Sequence, residues 1–281
     1  MKHESFNESV EMYLKTVSEL AGGGDLAPIS ALAERLGVST VSATVMVHRL
    51  GEKGLLDHTP YKGVALTEDG RRRAQRVIRR HRLWECFLVD YLCLPWEKVH
   101  DYACRLEHAT DTAVTEALAA FLNHPQTCPH GNPIPDPDGA VAAHSDVPLS
   151  DLQPGDRCTI SRIHPESLLL LDYLAGRGIL PGQAVEFEEI APFNGPLMIK
   201  IGSEIHALGQ EIAAHIFTEP IHDPSSGPVS THRHPIASRA LNHCAALPGG
   251  GRPKTAPDGH SRRSPTDPPS GRIGYYPRRG T

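Results

Sequence analysis

Residues 33–56 read AERLGVSTVSATVMVHRLGEKGLL. Gly37 ends the apolar helical run of Ile29–Leu36, as a left-handed glycine after a helix does. Ser39 then offers its side-chain oxygen to the free amides of a new helix, Val41–Leu50, and Gly54 ends that one. Upstream, Val10, Tyr13, Leu14 and Val17 recur at the spacing of one helical face. Downstream, Leu55–Thr67 alternates weakly about Pro60-Tyr61-Lys62-Gly63, which signals a short hairpin. Three helices and a small hairpin predict a winged helix-turn-helix over residues 1–75.

In such a unit the second helix of the pair lies in the major groove, with its N-terminal residues toward base edges. Ser39, Thr40, Ser42 and Thr44 crowd that start with short hydroxylated side chains, which allow close approach and can bond bases or phosphates. Val41 and Val45 are placed to touch thymine methyls. His48 and Arg49 sit lower, toward phosphate, and Lys62 stands at the hairpin tip. The candidate DNA-binding residues are therefore Ser39, Thr40, Val41, Ser42, Val45, Arg49 and Lys62. A helical pair that binds only protein would show the same apolar pattern.

The 281 residues carry 28 Lys plus Arg against 33 Asp plus Glu, a net charge of −5. That balance weighs against a nucleic-acid binder, which usually shows a basic domain. Apolar runs stop short of a membrane span, and the N-terminus lacks the apolar core of a signal peptide. The six cysteines form no CxxC pair and read as reduced thiols of a cytoplasmic protein. Residues 221–281 hold 10 Pro, 8 Gly and nine basic but only three acidic residues, the composition of a disordered tail. A second break, QTCPHGNPIPDPDG at 126–139, must end a helix and begin a linker. Asp69–Leu94 and Trp96–Leu122 between them read as two long helices.

The chemistry concentrates in His100-Asp-Tyr-Ala-Cys104-Arg-Leu-Glu107-His108. Relative to His100, Cys104 falls at about +40°, Glu107 at about −20° and His108 at about +80° around a helix. Four metal-capable side chains thus share one arc. His81 and Glu85 form an i, i+4 pair on the preceding helix, the spacing that lets two ligands meet one ion. Imidazole, carboxylate and thiolate together suit a first-row divalent metal. A hydrolytic metalloenzyme would want an open position beside a general base, and no HExxH occurs.

The segments EMYLKT (11–16), RRHRLWE (79–85), KVHDYACRLEH (98–108) and HGNPIP (130–135) resemble the diphtheria toxin repressor family of iron- and manganese-dependent regulators. The resemblance implies one metal site of Met12, Cys104, Glu107 and His108, and an ancillary site of His81, Glu85 and His100. It also implies a homodimer that binds a palindromic operator in double-stranded DNA, and no enzymatic activity. All seven positions carry the iron-type residues; manganese-type members have Asp for the Met and Glu for the Cys. Soft thioether and thiolate donors favour Fe(II), with Mn(II) as the alternative and Co(II), Ni(II) and Zn(II) expected to bind in vitro.

Residues 147–218 break into short β runs at Arg157–Ile163, Ala184–Ile190, Pro196–Ile201, Ser203–Ala207 and Ile212–Phe217, with one helix near Ser167–Arg177. PGQAVE (181–186), FNGPL (193–197) and ALGQEIA (207–213) resemble the SH3-like domain of ferrous-iron-transport-A proteins. In the repressor family this domain can lend the ancillary site a carboxylate and an amide. Glu166 lies near the matching place, but the residue three further on is Leu169, not Gln. The expected fold is mainly α with small β parts: a winged helix-turn-helix (1–75), a helical dimerisation and metal-binding domain (76–140), an SH3-like β-barrel (141–220) and a disordered tail (221–281). The expected function is a metal-activated, DNA-binding transcriptional repressor; a metal carrier that reads no DNA is the competing class.

Overall fold

The computed structural model describes residues 2–21, 26–193 and 195–221. From residue 222 on, the expected tail lies outside them. Helix α1 (Lys2–Leu20) buries Val10, Tyr13, Leu14 and Val17 in a core shared with α2 (Ile29–Arg35) and α3 (Thr40–Glu52). Between α2 and α3, Gly37 turns at φ +65°, and Ser39 caps α3 by accepting from the Ser42 amide at 3.1 Å. Strands β1 (Leu56–Thr59) and β2 (Gly63–Leu66) pair antiparallel as the wing, and Ala27 bridges to Val64. Gly63 allows that bridge: it sits at φ +138°, and a Cβ there would meet the Ala27 carbonyl oxygen at 2.6 Å.

Thr67 caps α4 (Glu68–Asp90), whose inner face is buried along most of its length. The helix expected over 96–122 is two helices, α5 (Val99–Glu107) and α6 (Thr112–Phe121). Asp111 is the cause. Its backbone is extended and its carboxylate accepts from the Val114 amide at 2.8 Å, so it restarts the helix rather than continuing it. No helix among the described residues is long and apolar enough to cross a membrane.

The C-terminal module comprises β3 (Val147–Pro148), β4 (Arg157–Ile163), α7 (Leu168–Ala175), β5 (Ala184–Ile190), β6 (Leu197–Ile201), β7 (Glu204–Leu208), α8 (Gln210–Ala213) and β8 (Ile216–Pro220). Its six-stranded sheet has the order β3-β8-β4-β5-β6-β7, all antiparallel. The strand expected at Ile212–Phe217 starts only at Ile216, because Gln210–Ala213 forms a helical turn first. Ile160, Ile163, Leu171, Leu174, Phe187 and Leu197 fill the core of this SH3-like unit. The architecture is mainly α with small β parts, as the sequence predicts.

One loop seats this module against the helices. Gly131, at φ +84°, lies so flat on β4 that a Cβ would come within 2.0 Å of the Ser161 carbonyl oxygen. On either side of it, the His130 carbonyl accepts from the Ile163 amide and Asn132 donates to the Ile163 carbonyl, both at 2.9 Å. Trp96 packs against both the SH3-like core and the α4–α5 core. The segment between β4 and α7, which carries Glu166, is thereby brought against α4.

Candidate metal centre

His81 and Glu85 sit one turn apart on the inner face of α4, and both are buried. His81 Nε2 lies 2.9 Å from Glu85 Oε1 and 3.1 Å from His100 Nδ1 on α5. Glu166 Oε2 approaches His100 Nδ1 to 3.4 Å and His81 Nε2 to 3.8 Å. The four residues each offer a donor atom within 4.8 Å of the others. Leu169, at the place where an amide was sought, is 85% exposed and takes no part.

A second group shares two of these residues: Glu85, Cys128, His130 and Glu166, all buried. His130 Nδ1 is 3.4 Å from Glu85 Oε1, while its Nε2 bonds the Trp96 carbonyl at 2.9 Å and so fixes the ring. Cys128 Sγ is 3.8 Å from both His130 Nδ1 and Glu166 Oε1. Sequence reasoning gave neither Cys128 nor His130 a role. The available signal was their Cys-x-His spacing inside the 126–139 loop.

The other ring nitrogen of His81 faces the opposite way. Nδ1 donates to Glu107 Oε2 at 2.6 Å, so one imidazole joins the α4 pair to the α5 ligands. Lys15 of α1 donates to the same Oε2 at 2.8 Å. Cys104 Sγ turns to His100 Nε2 at 3.6 Å and groups with His81 and His100. Glu107 Oε1 and His108 Nε2 lie 3.3 Å apart. Both are buried without a hydrogen-bond partner, as is Glu85 Oε2. His108 Nδ1 donates to Glu11 Oε2 at 2.8 Å, and Arg80 holds Glu11 from its other side. Met12 is half-buried on α1, one turn before Lys15; its carbonyl accepts from the Thr16 hydroxyl. Of the expected Met12–Cys104–Glu107–His108 set, Glu107 and His108 are thus adjacent, while the Cys104 thiol points toward the ancillary histidine.

Opposite charges offset one another across the cluster. Burial raises the Glu107 pKa, but His81 and Lys15 outweigh it and bring the carboxyl down to about 2. Burial likewise opposes, and His100 and His81 overcome it, to leave the Cys104 thiol at about 6. Glu85 is held well below the usual range, against burial, by His130 and His81. Burial disfavours protonated His100, yet Cys104, Glu166 and Glu85 push it up to about 12. Against burial and Lys15, Glu85 and Glu107 hold His81 well above its ordinary value. The charged forms of Glu85, Glu107 and Cys104 are thus favoured, as are protonated His81 and His100. Ion binding releases such protons. Cys86, Cys104, Cys128 and Cys158 are free thiols.

The seven candidate DNA residues are all exposed. Val41 and Val45 are 74% and 64% exposed, one turn apart on α3, with Ser39, Thr40 and Ser42 beside them. Lys62 stands at the wing tip next to fully exposed Tyr61.

A winged helix-turn-helix joined to a buried cluster of imidazole, carboxylate and thiol groups defines a metal-dependent DNA-binding regulator. The chain belongs to the iron-dependent repressor family. Residues 5–64 match its N-terminal DNA-binding domain, 67–136 its metal-binding and dimerisation domain, and 147–220 the FeoA domain. The iron-dependent repressor IdeR of Mycobacterium leprae is 34% identical over 227 residues, which are 76% of this chain and 98% of that protein. The diphtheria toxin repressor of Corynebacterium efficiens is 32% identical over 225 residues, 73% of this chain and 95% of that one. Among solved structures, a manganese-dependent transcriptional repressor in complex with manganese superposes with a TM-score of 0.71 at 35% identity, covering 75% of this chain and 100% of that one. IdeR of T. acidophilum gives 0.66 at 29% identity, over 75% and 97%.

Proposed function

We propose that the chain is an Fe(II)-activated repressor of metal-homeostasis genes, acting in the cytoplasm as a homodimer on a palindromic operator. The observation that carries this reading is a set of buried donor atoms without a hydrogen bond: Glu85 Oε2, and Glu107 Oε1 with His108 Nε2, which face each other at 3.3 Å. Leaving a buried atom such as Glu85 Oε2 without a hydrogen bond costs on the order of 1–3 kcal/mol, and a bound cation would offset that cost. The residues that would hold it are Met12, Cys104, Glu107 and His108 at one seat. At the other they are His81, Glu85, His100 and Glu166, with Cys128 and His130 as added donors. When bound, a divalent ion supplies positive charge and a link between α1 and α5. That link shifts DNA binding only insofar as it favours the DNA-competent arrangement.

Thioether and thiolate donors support Fe(II). Likeness to a repressor solved with manganese supports Mn(II) as the second reading. A homodimer is supported by the match of 67–136 to a dimerisation domain and by exposed Leu92, Val114 and Phe121 within it. Two α3 helices would then meet successive major grooves. A carrier without DNA readout has no use for the bare valines of α3. Operator selection from random duplex DNA across a metal series tests the proposal. An inverted repeat enriched at lower Fe(II) than Mn(II) is expected. Enrichment with manganese alone reassigns the metal, and no enrichment with any metal removes the DNA reading.

A further inference from the structure

We propose that Lys15 is a tethered competitor for the metal: its ammonium shares Glu107 and Cys104 with the proposed seat, and loading requires it to leave. This inference rests on the reading of the cluster as a metal centre. Lys15 Nζ lies 2.8 Å from Glu107 Oε2, 2.9 Å from His81 Nδ1 and 3.8 Å from Cys104 Sγ. A cation held by a carboxylate and a cysteine sulfur, beside an imidazole from a second helix, has the side chains around it that a first-row divalent ion takes. The residue is only 5% exposed, so solvent screens its charge poorly. An ion on Glu107 Oε1 would share one carboxylate with that ammonium, and like charges a few ångströms apart in such a site repel strongly. The two occupants therefore exclude each other.

The position of Lys15 in the chain gives the exchange a mechanical consequence. Met12 and Lys15 are i, i+3 on α1 and share a face. Lys15 ties α1 to α5 through Glu107. Loading transfers that tie from Lys15 to Met12, one turn away along α1. Lys15 thus holds the Glu107 carboxylate in place, and it also sets the ion concentration at which the centre fills. A purely structural ion pair makes a different prediction: its loss would cost stability and leave metal affinity no higher.

The experiment titrates the full-length chain with Co(II) under anaerobic conditions, reading ligand-field absorption, for wild type, Lys15→Met and Lys15→Arg. Lys15→Met is expected to bind about tenfold more tightly or better, and Lys15→Arg to stay near wild type. In parallel, acetic anhydride labelling of the wild type is read by mass spectrometry. The Lys15 amine should be protected in chelator and labelled at saturating Co(II). A folded Lys15→Met that binds no more tightly overturns the inference, and so does a Lys15 that stays protected in the loaded chain. If Lys15→Met does not fold, the wild-type labelling decides alone. Wild type that binds no Co(II) overturns the metal reading and this inference together. Wild type that binds, with no gain in the variant, overturns this inference only.

Discussion

Glu107 has two oxygens with different surroundings. Oε2 is shared by Lys15 and His81, while Oε1 faces His108 Nε2 at 3.3 Å and makes no hydrogen bond. A carboxylate satisfied on one side and open on the other is half of a ligand set. Cys104, with its pKa near 6, supplies thiolate at neutral pH beside it. Cys104→Ala should therefore abolish metal-dependent operator binding. Cys158→Ala, in the SH3-like core, should leave it intact at a stability cost of about 1 kcal/mol. Fluorescence anisotropy of a labelled operator with and without Co(II), alongside thermal melts, checks both. Loss of metal response in the Cys158 variant, or its survival in the Cys104 variant, would count against the assignment. The α4 and α5 donors were legible because helical spacing alone aligns His81 with Glu85, and His100 with Cys104. His130 and Cys128 were not, since a loop has no periodicity and only Gly131, pressed on β4, brings them to Glu85. Lys15 was not either: its chemistry is no metal ligand's, and its neighbours Leu14 and Val17 mark an apolar face.

Helix α3 was legible because three local signals agree on it: Gly37 before it, the Ser39 cap at its start and Gly54 after it. The break between α5 and α6 was hidden, because apolar residues recur at helical spacing on both sides of it. One Asp111 side chain, accepting from Val114, outweighs that continuity. The same holds at α8, where a four-residue helical turn interrupts a run of β-forming residues. At this scale the exposed face of α3 makes its own prediction. Val45 is 64% exposed and contributes little to the core. Val45→Asp should remove operator binding by placing a carboxylate against base edges and phosphates. Its Co(II) affinity should stay at the wild-type value and its stability within about 0.5 kcal/mol. Operator binding undiminished by that charge would exclude α3 as the reading helix.

Across the whole molecule, charge is the feature that ties metal to DNA. The net charge is −5, and residues 1–220 alone hold 19 basic against 30 acidic side chains. Such a surface approaches phosphate only through local basic groups, of which Arg49, Lys53 and Lys62 lie on or near α3 and the wing. Several of the acids are the buried donors Glu85, Glu107 and Glu166, so cations bound there would offset part of the charge that opposes DNA. Membership of the iron-dependent repressor family and the buried donors without a hydrogen bond lead to one claim: operator affinity depends on a divalent ion in this cluster. The direct measurement is anisotropy of the selected operator duplex with the full-length chain at fixed ionic strength, in chelator and then in anaerobic Fe(II). Affinity should rise roughly 5- to 150-fold on loading, the usual range for coupling between two sites. Equal affinity in chelator and in metal would contradict the account.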